Sequence, residues 1–239
     1  MNTILPRGLI VSCQALKNEP LYGGDTMPKM ADAAKRGGAV GIRANTVRDI
    51  NAIHKYLHGE LPIVGLIKET YAGSPVYITP TLKELKALIR SKCDVIAIDA
   101  TLRPRPNGES LEELVKYARA NSSKPLLADI ATLDEAVNAE KLGFEYVSTT
   151  LRGYTEETKG IEIPDRDFCK QLTESIQQSV IVVEGGIHSF EALNGILDLG
   201  IDHVVIGGAI TRPQQITGYF VDVFSGNATF MGKKEQNEF

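Results

Sequence analysis

Two glycine pairs carry the strongest chemical signal in this chain. The segment VIVVEGGI occupies residues 180–187 and VVIGGAITR occupies 204–212. In each, a β-branched run of buried-strand type breaks at two glycines, first Gly185 and Gly186, then Gly207 and Gly208. Glycine lets backbone N–H groups turn outward and lets an anion approach the chain closely. The two pairs lie 22 residues apart, room for a turn, one amphipathic helix and the next parallel strand. That spacing fits the last two βα units of a (β/α)8 barrel, whose final loops commonly hold a substrate phosphate. Arg212, just after the second pair, adds a cation to the cradle.

A second set of residues could do acid–base work. Arg43, Lys68, Asp99, Asp129 and Glu184 each follow a short apolar run of strand type, and Gln14 adds a neutral hydrogen-bonding group after IVSC. In a parallel barrel the carboxyl ends of the strands form the reaction face, so these side chains would meet at one mouth despite their separation in sequence. Each also has a plainer reading. Asp99 and Asp129 serve equally well as helix caps. Lys68 precedes Glu69 and could form a weak loop ion pair, although a lysine closing an apolar strand favours a functional role. Glu184, between β-branched residues and two glycines, is the clearest candidate. Arg43 could bridge carboxylates as a structural fork or hold a substrate oxygen. His54, His58, His188 and His203 show no metal spacing and read as surface or capping residues.

The elements needed to position these groups are visible as eight short Val/Ile/Leu-rich runs at 8–13, 39–42, 62–67, 94–98, 125–128, 146–148, 180–183 and 203–206. They are nearly continuous in hydrophobicity, as parallel strands buried on both faces are, and helical patterns at 81–91, 110–121, 132–143 and 189–200 separate several of them. Thr81 with Glu84 and Thr132 with Glu135 have capping-box spacing, Ser189 is a further cap, and Gly143 and Gly200 mark helix ends. This alternation predicts a single (β/α)8 TIM barrel over 1–224, with a doubly wound sheet as the other arrangement of such a pattern. Residues 102–108 and 153–164 read as loops after the fourth and sixth strands, where active-site walls are built. Residues 225–239 turn polar and predict a frayed tail.

Composition narrows the function. The chain has 239 residues, 43% of them hydrophobic, and a net charge of −4. No broad basic surface exists to attract nucleic acid, so anion binding should be local. Cys13, Cys93 and Cys169 are odd in number and sit in apolar or helical contexts, which predicts reduced thiols and a cytoplasmic location. Neither a leader peptide nor a membrane span is expected, and no metal or cofactor is called for.

Taken together, the segments GLIVSCQA (8–15), GAVGIRAN (38–45), VIAIDAT (95–101), LADIA (127–131), TTLRGYT (149–155) and VIGGAITRP (205–213) are specific. Over about residues 6–224 the chain resembles the N-acetylmannosamine-6-phosphate 2-epimerase family, (β/α)8 enzymes of bacterial sialic acid and amino-sugar catabolism. The resemblance implies interconversion of N-acetylmannosamine 6-phosphate and N-acetylglucosamine 6-phosphate by inversion at C2, without a cofactor. It implies Lys68 and Glu184 as the catalytic pair and Gln14, Arg43 and Asp129 as sugar-holding groups. It places the phosphate at Gly185, Gly186, Gly207, Gly208 and Arg212, and it makes a homodimer a candidate assembly. Lys68 would act as base only while neutral, which requires burial and a nearby cation such as Arg43 to lower its pKa. Two other readings fit the same residues: a lyase or aldolase in which Lys68 forms a Schiff base, and a non-catalytic phosphosugar-binding barrel.

Overall fold

In the computed structural model, which describes residues 4–226, the β-branched runs become eight parallel strands. In chain order the first half comprises β1 (Gly8–Cys13), α1 (Thr26–Arg36), β2 (Gly41–Asn45), α2 (Val47–Tyr56), β3 (Ile63–Leu66), α3 (Leu82–Arg90), β4 (Val95–Asp99) and α4 (Leu111–Asn121). The second half comprises β5 (Leu126–Asp129), α5 (Leu133–Lys141), β6 (Tyr146–Ser148), α6 (Arg166–Ser175), β7 (Val180–Glu184), α7 (Phe190–Leu197), β8 (His203–Ile206), α8 (Gly208–Thr211) and α9 (Pro213–Phe224). Each strand pairs with its neighbours in sequence, and β1 pairs with β8 to close the barrel. The (β/α)8 expectation holds, and the doubly wound alternative does not. From residue 227 onward the expected tail lies outside the described residues.

Helix starts obey their local signals. Thr81, Ser110 and Thr132 each cap a helix in a complete capping box with Glu84, Glu113 and Glu135. Such a cap stabilises a helix by about 1 kcal/mol. Gly143 and Gly200 stand just past helix ends with positive φ, as the sequence suggested.

Period-two alternation divides every strand between two cores. Outward residues such as Val11, Ile42, Ile96, Ile98 and Ala128 pack under the helices, while inward Ile10, Val64, Val95, Leu127, Tyr146 and Val182 fill the barrel. The barrel is therefore solid below its mouth, which leaves the strand ends and the residues just beyond them for chemistry. The second strand runs three residues beyond its expected end, so Arg43 lies within β2 and is 1% exposed. His203 corrects a reading of the sequence: it is buried at the start of β8, where its ring contacts Asp202 and the Leu5 carbonyl.

The helical shell is thinner at its end. Tyr219 is the buried residue of α9, whereas Phe220, Val221, Val223 and Phe224 are exposed. Among the described residues, no helix is long and apolar enough to cross a membrane.

Candidate active site

Strand alternation decides which side chains meet. The inward sets of β2, β4, β5 and β7 contain Arg43, Asp99, Asp129 and Glu184. Continuing the same parity past the strand ends reaches Gln14 after β1, Lys68 after β3 and Thr150 after β6. A cavity opens at this carboxyl-end mouth. Every residue expected at the site lines it except Asp99 and Asp129, which are fully buried behind the wall.

At the centre stands a buried arginine between two carboxylates. Arg43 Nη2 donates to Asp129 Oδ2 at 2.8 Å, and its Nε lies 3.3 Å from Glu184 Oε2. Burial opposes the guanidinium charge, but Asp129 and then Glu184 overcome that cost and raise its pKa. Nη1 of Arg43 and Oε1 of Gln14 are buried without a hydrogen-bond partner. Orphaned polar atoms on a cavity wall are what a ligand would satisfy. Gln14 is held in place by donating from Nε2 to Ser12 Oγ at 2.7 Å.

Lys68 does not sit directly at a strand end. It lies two residues beyond β3, in an antiparallel bridge with Ile78 that folds the following loop into a hairpin. Its backbone N–H donates to Asn45 Oδ1 at 2.9 Å, and its ammonium lies 6.0 Å from the centre of the Tyr77 ring. Burial lowers the pKa of Lys68 to about 8, with the charges of Arg212 and Arg43 acting in the same direction and Glu184 and Asp129 against it. Glu184 shifts the other way: burial raises its carboxyl, Arg43 opposes the rise, and Asp129 reinforces it. An amine and a carboxylic acid pushed towards neutrality in one cavity are chemically able to exchange protons with a bound molecule.

The glycine loops expected to hold an anion lie on the β7 and β8 side. Gly185 and Gly186 adopt φ values of 104° and 71°, and Gly208 opens the short helix α8. Thr211 ties that helix to β1 by donating to the Ser12 carbonyl at 2.8 Å. Arg212 lines the same end, where its Nε pairs with Glu19 at 3.0 Å. His188, expected at the surface, lines the cavity and meets the Tyr219 ring edge-on.

Asp99 is resolved as structural. Fully buried, it accepts from the backbone N–H and hydroxyl of Thr101 and pairs with Arg103 at 2.7 Å, anchoring the loop after β4. That loop contributes nothing to the cavity wall, whereas the 153–164 loop supplies Tyr154. Sequence reasoning passed over Ser12, Tyr77, Thr150 and Tyr154. They are uncharged, and apart from Ser12 they come from a hairpin, a turn and a loop with no periodic signature.

These features define a class: a (β/α)8 barrel whose mouth sets a lysine and a glutamate, both pushed towards neutrality, beside two glycine loops and an arginine. Comparison with known proteins narrows it. Residues 27–225 match the family described as "Putative N-acetylmannosamine-6-phosphate epimerase". A relative from Staphylococcus carnosus (strain TM300), named "Putative N-acetylmannosamine-6-phosphate 2-epimerase", is 52% identical over 221 residues, 91% of this chain and 97% of that protein. One of the same name from Borreliella afzelii (strain PKo) is 50% identical, covering 91% of this chain and 94% of the relative. The solved N-acetylmannosamine-6-phosphate 2-epimerase from Clostridium perfringens superposes with a TM-score of 0.86 at 48% identity, covering 90% of this chain and 93% of that one. The chain belongs to the N-acetylmannosamine-6-phosphate epimerase family. Neither the lysine-imine lyase nor the non-catalytic barrel is favoured by these likenesses.

Proposed function

We propose that this chain interconverts N-acetyl-D-mannosamine 6-phosphate and N-acetyl-D-glucosamine 6-phosphate by removing the proton at C2 and returning one to the opposite face. The observation that carries this reading is the pairing of Lys68, its pKa lowered to about 8, with Glu184, its pKa raised, in one cavity beside an anion cradle. In the open-chain sugar the C2–H bond lies next to an aldehyde. Neutral Lys68 takes the proton, and the bonding electrons move onto the aldehyde oxygen as an enolate. The unpartnered Nη1 of Arg43 suits that developing charge. The Glu184 carboxylic acid then protonates C2 from the other face, and no electrons are exchanged with a redox partner.

The remaining groups position the sugar. Gln14 Oε1 offers an acceptor for a sugar or acetamido N–H or O–H group. Asp129 lies behind the wall and contributes through Arg43 and Thr150, its two hydrogen-bonded neighbours on the site side. The Gly185–Gly186 and Gly207–Gly208 backbones and Arg212 hold the 6-phosphate, whose binding energy fixes the sugar over Lys68. Two further readings accompany this one. The three cysteines are free and buried, which suits a reducing cytoplasm. The exposed apolar residues of α9 suit a homodimer.

The deciding experiment is proton NMR of the protein with N-acetylmannosamine 6-phosphate in D2O. Formation of the second epimer carrying deuterium at C2, abolished in Lys68→Ala, is expected. Glu184→Gln should still exchange the C2 proton of the epimer whose C–H faces Lys68, without forming the other. An absence of both exchange and epimer in the unaltered protein would sink the reading.

A further inference from the structure

Beyond linking Asp129 to the site, Thr150 has no part in the chemistry described so far, yet its hydroxyl stands between the two site carboxylates. Oγ1 lies 2.6 Å from Asp129 Oδ1, 3.1 Å from Glu184 Oε2 and 2.8 Å from the hydroxyl of Ser148. Its neighbour Thr149 fixes the turn from the other side, where Thr149 Oγ1 donates to the Glu184 carbonyl at 2.8 Å and accepts from the Glu184 N–H at 3.0 Å. The position of Thr150 is therefore set by β6 and β7 together.

A hydroxyl has one hydrogen to donate. The shorter contact assigns it to Asp129, leaving the lone pairs of Oγ1 facing Ser148 and Glu184. Two oxygens 3.1 Å apart form a favourable contact only when a proton lies between them, so the Glu184 contact is a hydrogen bond when Glu184 is the acid. The charged groups facing Glu184 are Arg43 from β2, Asp129 from β5 and Lys68 from the hairpin after β3. Arg43 makes its shorter contact to Asp129, 2.8 Å against 3.3 Å to Glu184, so the proton falls to Glu184.

We propose that the Thr150 hydroxyl is a positioning group that makes Asp129 and Glu184 hold one proton between them, kept on Glu184. It orients and retains the acid that the epimerase reading requires, and in that respect the proposal rests on that reading. The proton count itself does not: Asp129, Thr150 and Glu184 carry it whether or not a sugar is bound.

The test compares Thr150→Val, which keeps the shape and removes the hydroxyl, with Thr150→Ser, which keeps the hydroxyl. Infrared titration of the free protein follows the carboxylic C=O stretch, identified by its loss in Glu184→Gln. In Thr150→Val that proton should leave at a pH about one unit lower, the tenfold change in acidity expected when one hydrogen bond to the acid is lost. In Thr150→Ser it should leave where it does in the parent. Epimerisation should fall about tenfold or more in kcat for the valine variant, with KM changed less than about threefold, and stay within about threefold of the parent for the serine variant. Thr150→Ala repeats the comparison if the pocket does not accommodate valine. An unchanged infrared titration in the hydroxyl-free variants overturns the proposal, as does a serine variant as impaired as the valine one. Because the infrared measurement needs no substrate, it decides the proton count even if the parent protein fails to epimerise.

Discussion

A lysine can take a proton from carbon only while its amine is neutral, so Lys68 is defined by what surrounds it. Burial and two arginines bring its pKa to about 8 against an ordinary 10.5. On the epimerase reading the active form needs Lys68 neutral and Glu184 protonated, so kcat/KM should follow a bell-shaped pH profile, and Lys68→Arg, which cannot shed its charge, should lose activity by orders of magnitude. The same shift has a cost in stability whose sign can be worked out. Below pH 8 the lysine is charged in both folded and unfolded chains, and the fold carries the full penalty of a charge it disfavours. Between about 8 and 10.5 the folded chain sheds its proton first, and the penalty fades. Lys68→Met should thus be inactive yet more stable at pH 7, by on the order of 1–3 kcal/mol, with the gain vanishing above about pH 10.5. Denaturant unfolding of both proteins at pH 7 and pH 10.5 measures it. An equal or lower stability for the methionine variant at pH 7 would refute the argument.

At the scale of elements, the glycines are placed by contact as well as by conformation. Gly186 has φ 71°, and a Cβ there would stand 2.3 Å from the carbonyl carbon and oxygen of Ile163 in the loop that follows β6. The loops after β6 and β7 therefore touch backbone to backbone, and neither can yield cheaply. Gly186→Ala should cost more than about 2 kcal/mol, because both the left-handed φ and the clash must be relieved. A denaturant midpoint within error of the parent would contradict this packing. The same level of organisation explains what could be read in advance. Buried parallel strands reveal themselves as β-branched runs, so the eight strands, the capping boxes of Thr81 and Thr132, and the strand-end positions of Asp99, Asp129 and Glu184 were legible. Parity within the strands, which brings Arg43, Lys68 and Glu184 together, was hidden by runs that are nearly continuous in hydrophobicity. What could not be read was that neither strand-end aspartate lines the cavity: Thr101 and Arg103 hold Asp99 to its own loop, and Asp129 stands behind Arg43 and Thr150. Thr150 escaped for a similar reason. Its place between two carboxylates depends on a single turn after β6, and a threonine there carries no charge or period to mark it.

For the whole molecule, the helical shell is least complete over its last units, where α7 and α9 each bury a single residue, Ile196 and Tyr219. In α9, Phe220, Val221, Val223 and Phe224 are exposed by 68%, 54%, 63% and 94%, and on α7 Phe190 is exposed by 88%. A row of large apolar side chains on one terminal helix is costly to leave in water, at about 25 cal/mol for each Å² of apolar surface. Scattered apolar residues need no explanation, but adjacent ones at this density mark a contact surface. The proposed homodimer would cover it, and a net charge of −4 is small enough not to oppose association of two copies. Sedimentation velocity at micromolar concentration should give a dimer for the parent and a monomer for Phe220→Glu with Phe224→Glu. The paired variant should keep its thermal midpoint to within a few degrees unless the dimer itself stabilises the barrel, in which case the parent's midpoint should rise with protein concentration. A parent that sediments as a monomer at every concentration would remove the second copy as the occupant of this face. Because Tyr219 of the same helix meets His188 at the cavity wall, a change in the packing of α9 should also register at the proposed phosphate end of the site. Comparing KM for the phosphosugar between the dimer and the paired variant measures that link, with a higher KM expected for the monomer.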